Sequence, residues 1–142
     1  MQNLYLFLHL VGLIIGLGAV TVIDLLGFLG RKSKKWTYVT IQAHKVTKPL
    51  IWLGTILLAT GFLLLFFLEN FILYSETKII LLIVMIFNGA FLSFHVSPRL
   101  LKIQDKKILL PNKLQNKILV SMVFSIICWW TFVILTVLSL SI

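Results

Sequence analysis

The sequence predicts an all-α protein, an integral membrane four-helix bundle with both termini outside (N-out/C-out). Three observations predict it. The 142 residues are 60% hydrophobic and only 12% charged, too few charges for a soluble surface that must face water. Four long apolar stretches follow one another along the chain. The basic residues between them are distributed very unevenly.

The first stretch, Leu4 to Leu29, is interrupted by His9 and Asp24. The second, Pro49 to Leu68, has no charge. The third, Ile79 to about Val96, contains Asn88 and His95. The fourth, Ile118 to Ile142, is again uncharged. Crossing the hydrocarbon takes roughly 20 helical residues, so all four qualify, the third with a few interfacial residues added. Continuous rather than alternating apolar runs favour helices over strands. The expected helices are about 4–29, 48–68, 77–97 and 115–141, in one transmembrane domain covering 1–142.

The N-terminus, Met1 to Tyr5, has no Lys or Arg, and the run behind it is too long for a signal-peptide core. Helix one is therefore expected in the mature protein. No lipidation motif is evident. The single cysteine, Cys128, cannot form an internal disulfide and reads as a small packing residue.

Loop one carries Arg31, Lys32, Lys34, Lys35, Lys45 and Lys48. Loop three carries Arg99, Lys102, Lys106, Lys107, Lys113 and Lys117. Loop two, about Glu69 to Thr77, is short, with Lys78 beside it and two glutamates, Glu69 and Glu76. The positive-inside rule places loops one and three in the cytoplasm. A bacterial inner membrane is the expected location. The net charge of +9 is thus mainly a topology signal, suited to anionic headgroups. There is no room for a soluble basic domain, so no nucleic-acid partner is expected. The expected partners are the lipid bilayer and a second copy or another membrane subunit.

Within loop one, Trp36 to Ala43 mixes aromatic and polar residues, the composition of a membrane interface leading into helix two. Pro49 is expected near the start of helix two, where its missing donor costs little. Pro98 is expected to end helix three, and Pro111-Asn112 to form the turn before helix four.

Few residues could carry chemistry. Gly12 and Gly16 form a GxxxG pair that admits another helix closely; the same gap would also admit a flat cofactor. His9 shares their stripe. An intramembrane ionisable residue suggests function because burying it is expensive, although a neutral, hydrogen-bonded histidine would serve equally. Lys78, at the outer end of helix three, is either a snorkelling anchor or a partner at a depth near that of His9. Toward the cytoplasmic side lie Asp24, His44 and His95, with Asn88 on the face of His95. Asp24 either neutralises a nearby lysine or joins a polar network. His9, His44 and His95 are the candidate metal ligands, though they have no close spacing and no Cys or Met cluster supports them. GxSxG, phosphate-loop and HExxH motifs are absent, which argues against an active site of the soluble-enzyme kind.

Three segments carry a family resemblance. His9-Leu-Val-Gly-Leu-Ile-Ile-Gly-Leu-Gly18 opens helix one. Lys45-Val-Thr-Lys-Pro-Leu-Ile-Trp-Leu-Gly-Thr-Ile-Leu-Leu-Ala-Thr-Gly61 leads through helix two. Thr77-Lys78-Ile-Ile-Leu-Leu-Ile-Val84 opens helix three. Together they resemble the superfamily of small four-helix membrane proteins that includes HemJ-type protoporphyrinogen oxidases and copper-resistance D-type proteins. The resemblance implies a haem- or porphyrin-associated redox protein, with haem b as cofactor and His9 and Lys78 at its site. The chain departs from the family pattern at three places. Ile15 or Gly16 stands where a tryptophan is usual, the Pro-Arg step near the end of helix one is missing and Asp24 lies in that region, and Asn116-Lys117 replaces an Asn-Glu element. Two other functions remain open: a cofactor-free accessory subunit, and a small ion or metal transporter component built on Asp24, His44 and His95.

Overall fold

The computed structural model describes residues 1–69 and 74–141, the Glu69 side chain excepted. Its elements are α1 (Gln2–Gly30), α2 (Lys34–Glu69), α3 (Ser75–Phe91), a π-helical turn (Leu92–Val96), α4 (Ser97–Leu101) and α5 (Asn112–Leu140). The π turn and α4 continue the line of α3, so there are four membrane-spanning rods: 2–30, 34–68, 75–101 and 112–140. The expected all-α membrane bundle is what forms. The tip of loop two, residues 70–73, lies outside the described residues.

α2 is much longer than expected. It runs unbroken for 36 residues from Lys34, so loop one shrinks to a tight corner. The Ser33 hydroxyl accepts from the Trp36 backbone N–H at 3.4 Å, the geometry of a helix N-cap. Thr37 and Thr40 then donate to the Gly30 and Leu26 carbonyls of α1, each at 2.7 Å. The interfacial segment is therefore the first part of the helix and clamps the hairpin. Pro49 lies inside α2, not at its start, and its ring removes one hydrogen bond from the ladder.

Pro98 likewise does not end the third rod. The five-residue π turn stands immediately before α4, which has Pro98 at its start. A proline cannot donate to the preceding turn and its ring crowds the carbonyl four residues back; widening the turn before it relieves both. Pro111 precedes α5 as expected.

α1 packs against α2 along most of its length, and α5 against both α1 and α3. Glycines set the α1–α2 distance. A Cβ on Gly12 would lie 2.7 Å from the Gly54 carbonyl oxygen, and one on Gly61 2.8 Å from the Tyr5 carbonyl oxygen. Only hydrogens in place of side chains let the backbones meet this closely. Gly16 is covered by the Trp129 ring, with Cζ3 2.7 Å from an added Cβ. The gap beside Gly12 and Gly16 is thus filled by α2 and Trp129, so the GxxxG pair serves close helix packing and not a flat cofactor. Two apolar clusters result. Leu13, Val20, Leu58, Leu82, Trp129 and Phe132 belong to the central one; Ile41, Val96, Leu100 and Leu114 form a smaller one at the basic end.

Candidate functional site

The polar side chains divide into three groups at different places in the bundle. The first is at the end that holds the chain termini. His9 is 2% exposed, and its Nε2 lies 3.2 Å from Thr136 Oγ1 on α5. Its ring packs against Phe132 and Phe62, with centroids at 5.6 and 6.3 Å, and those two rings lie 6.1 Å from each other. Nδ1 is buried without a hydrogen bond of good geometry. Lys78 is equally buried and donates to Ser139 Oγ at 2.8 Å. Its charge reaches His9. Thr136 and Ser139 are one turn apart on α5, so α5 collects the two residues although α1 and α3 are not a principal packing pair. Of the two readings of Lys78, the inward one holds. The imidazole is packed with Phe62 and Phe132 in a cluster of three mutually contacting rings.

A porphyrin beside His9 would need an open flat face next to a ring nitrogen. Phe62 and Phe132 stand beside the ring, Thr136 holds Nε2, and the glycine stripe is closed by α2 and Trp129. In this packing the residues do not fit a haem.

The second group lies about 22 Å further along α1, at 1.5 Å of rise per residue. A cavity of about 90 Å³ opens there between α1, α2, the π turn and α5. Asp24 lines it and is 7% exposed. The carboxylate therefore points into the bundle, as its desolvation cost in lipid demands. His44 lines the same cavity from α2. Asp24 Oδ2 and His44 Nε2 are both buried there without a hydrogen-bond partner. Among the described residues Asp24 makes no hydrogen bond or ion pair with a lysine, so local neutralisation does not explain it.

The rest of the wall is held in place by its own bonds. Trp52 donates from Nε1 to Ser93 Oγ at 2.9 Å, its ring lying 3.6 Å from where a Gly89 Cβ would be. Lys48 donates to Ser97 Oγ at 3.4 Å. Ser93 belongs to the π turn and Ser97 opens α4, so this widened stretch supplies the partners that anchor α2. Ile51, Val96, Ile118 and Met122 make the apolar surface, and Arg31 and Gln115 also line the cavity.

The third group faces outward between α3 and α5. Asn88 and Ser121 bond reciprocally: Asn88 Nδ2 donates to the Ser121 carbonyl at 3.1 Å, and Ser121 Oγ donates to Asn88 Oδ1 at 2.7 Å. His95 stacks on Phe91 with centroids 5.1 Å apart and lies 3.1 Å from Lys117 Nζ. Asn88 and His95 do share a face, as their spacing predicts, but it is not the face of His44.

Comparison of the chain with protein-family models, with curated proteins and with solved structures gives no match.

His9, His44 and His95 occupy three separate groups. Among the described residues no three His, Cys, Asp or Glu side chains gather as a metal site. Sequence reasoning picked out Asp24, His44, His9 and Lys78 but missed Thr136, Ser139, Ser93 and Ser97. Small hydroxyl residues in apolar helices were the available signal, because an intramembrane serine must bond something.

Proposed function

We propose that the chain is a small ion-handling membrane protein that binds a proton or small cation at Asp24 and His44, entering from the basic end. The observation that supports this reading is the pair of unpartnered buried atoms, Asp24 Oδ2 and His44 Nε2, lining one cavity. Buried polar atoms are almost always hydrogen-bonded, and ionisable groups that face an intramembrane cavity mark ion routes and proton relays. A cavity of about 90 Å³ holds several waters, since each needs roughly 10–15 Å³ by this kind of measure.

A proton suits the site better than a metal ion. Arg31 and Lys48 share the wall and oppose a divalent charge, and a structural metal site wants about four ligands. Within the cavity the carboxylate accepts a proton, and the imidazole can donate or accept one. Water between them would let the proton pass from one to the other.

The central apolar cluster of Leu13, Leu58, Leu82, Trp129 and Phe132 lies between this cavity and the opposite end. The site is thus reached from one side only. The two interruptions of helical hydrogen bonding, Pro49 and the π turn, both adjoin the cavity; they are where the wall can bend. A four-helix chain has little interior for a continuous water path, so translocation would fall to an oligomer of this chain. The haem-associated reading at His9 has the sequence resemblance behind it and gains nothing from the packing around His9.

The test is proton flux in reconstituted vesicles. A lumenal pH dye reports the response to a potassium diffusion potential. The wild type should equilibrate pH faster than protein-free vesicles, and Asp24→Asn should remove that difference. A wild type no faster than empty vesicles, or an Asp24→Asn variant as fast as wild type, overturns the proposal.

A further inference from the structure

The outward polar group at His95 and Lys117 has no role in the cavity. It stands at the head of a groove of about 360 Å³ between α3 and α5, lined by Asn116 and Lys117 at one end and by Phe91, Val120 and Phe124 further along. We infer that this groove is a binding site for one anionic phospholipid, with the phosphate on Lys117 and Asn116 and an acyl chain along Phe91, Val120 and Phe124.

Several independent features of the groove point to this occupant. Lys117 lies in the second turn of α5, at the basic end of the molecule, where the headgroup region meets the hydrocarbon. Its ammonium has three donors. One is directed at His95 Nε2, 3.1 Å away, which leaves two for a phosphate. His95 is itself held by stacking on Phe91 with the ring planes 23° apart, so the lysine is aimed rather than free to sweep. Arg99 adds its charge to the same place, its field reaching His95 together with that of Lys117. Among the described residues neither cation forms an ion pair with a carboxylate, and such cations next to an apolar trough on a membrane-facing surface complement an anionic amphiphile. Basic pockets between transmembrane helices on the cytoplasmic side are where acidic lipid headgroups bind. The trough itself is apolar and exposed: Phe124 is 55% and Val120 57% exposed.

The test uses the whole chain purified in detergent and native mass spectrometry with three additions: phosphatidylglycerol, phosphatidylcholine and inorganic phosphate. The wild type should retain one phosphatidylglycerol per chain in preference to phosphatidylcholine, and millimolar phosphate should not displace it. Lys117→Ala should weaken that retention about fivefold, the effect of one lysine at an anionic lipid surface. Lys117→Arg should preserve it, and so should Lys107→Ala in the exposed loop. Equal retention of the two lipids by the wild type overturns the inference, even if the alanine variant fails to fold. So does displacement by phosphate alone, which would make the site one for free anions, or an equal loss in Lys107→Ala, which would make the effect general charge.

Discussion

Adding one methyl group at Gly12 should loosen the α1–α2 pair. The Cβ of Gly12→Ala would lie 2.7 Å from both the Gly54 carbonyl oxygen and the Leu58 Cα. Ordinary contact between such atoms is about 3.5–4.0 Å, so the two backbones must part by roughly 1 Å. Both obstacles are helix backbone and cannot swing aside. A gap of 0.5–1 Å forfeits about a quarter to a half of each dispersion contact, and the seam runs past Gly16 and Gly61 as well. Overpacking of this sort typically costs about 1–3 kcal/mol. Gly18 gives the control, because a Cβ there meets nothing within 4 Å. Thermal unfolding in detergent should show Gly12→Ala clearly less stable than wild type and Gly18→Ala close to it. Equal stability of the two variants would refute the close-packed seam and reopen the glycine stripe as a place for something else.

Thr136→Val should destabilise by about 1–3 kcal/mol, because it leaves His9 Nε2 buried without its partner; Ser139→Ala should do less, since Lys78 has further interactions. Chemical unfolding of the two variants side by side checks the order, and a silent Thr136→Val would show that His9 does not depend on α5. A double-mutant cycle on Asn88→Ala and Ser121→Ala should give a coupling near 0.6 kcal/mol and below about 1.7, the range of interhelical hydrogen bonds in membranes; the Ser121 carbonyl bond survives the serine change, so zero coupling would mean the side-chain bond is absent. Reporter fusions should place both termini on the outer side, opposite the basic loops. A C-terminal fusion active only in the cytoplasm would reverse the orientation.

The four spans were legible because their apolar runs and the lysine asymmetry report directly on the bilayer. Asp24 was legible too: a carboxylate six residues from the end of an apolar helix has to face inward. The early start of α2 was not. Thr37, Tyr38, Thr40 and Gln42 dilute the apolar signal, and only Ser33 in capping position hints at a helix beginning there. The π turn leaves no compositional mark, since it is a shift of hydrogen-bond register forced by Pro98. That shift is what turns Ser93 and Ser97 toward Trp52 and Lys48. Placing Asp24 beside His44 needs the long hairpin that brings the first half of α2 along the last turns of α1. The contact of His9 and Lys78 through α5 depends on which helices are neighbours, and that is a property of packing that no single segment encodes.

On this reading Asp24 is a working carboxyl in a water-reachable cavity. Infrared spectroscopy of the reconstituted protein measures this most directly, by following the carboxyl stretch as pH and solvent deuteration are varied. One carboxyl band should respond to pH, shift in D₂O, change in His44→Ala and disappear in Asp24→Asn. A spectrum in which Asp24→Asn removes no pH-responsive band, or in which that band ignores D₂O and His44, would contradict it.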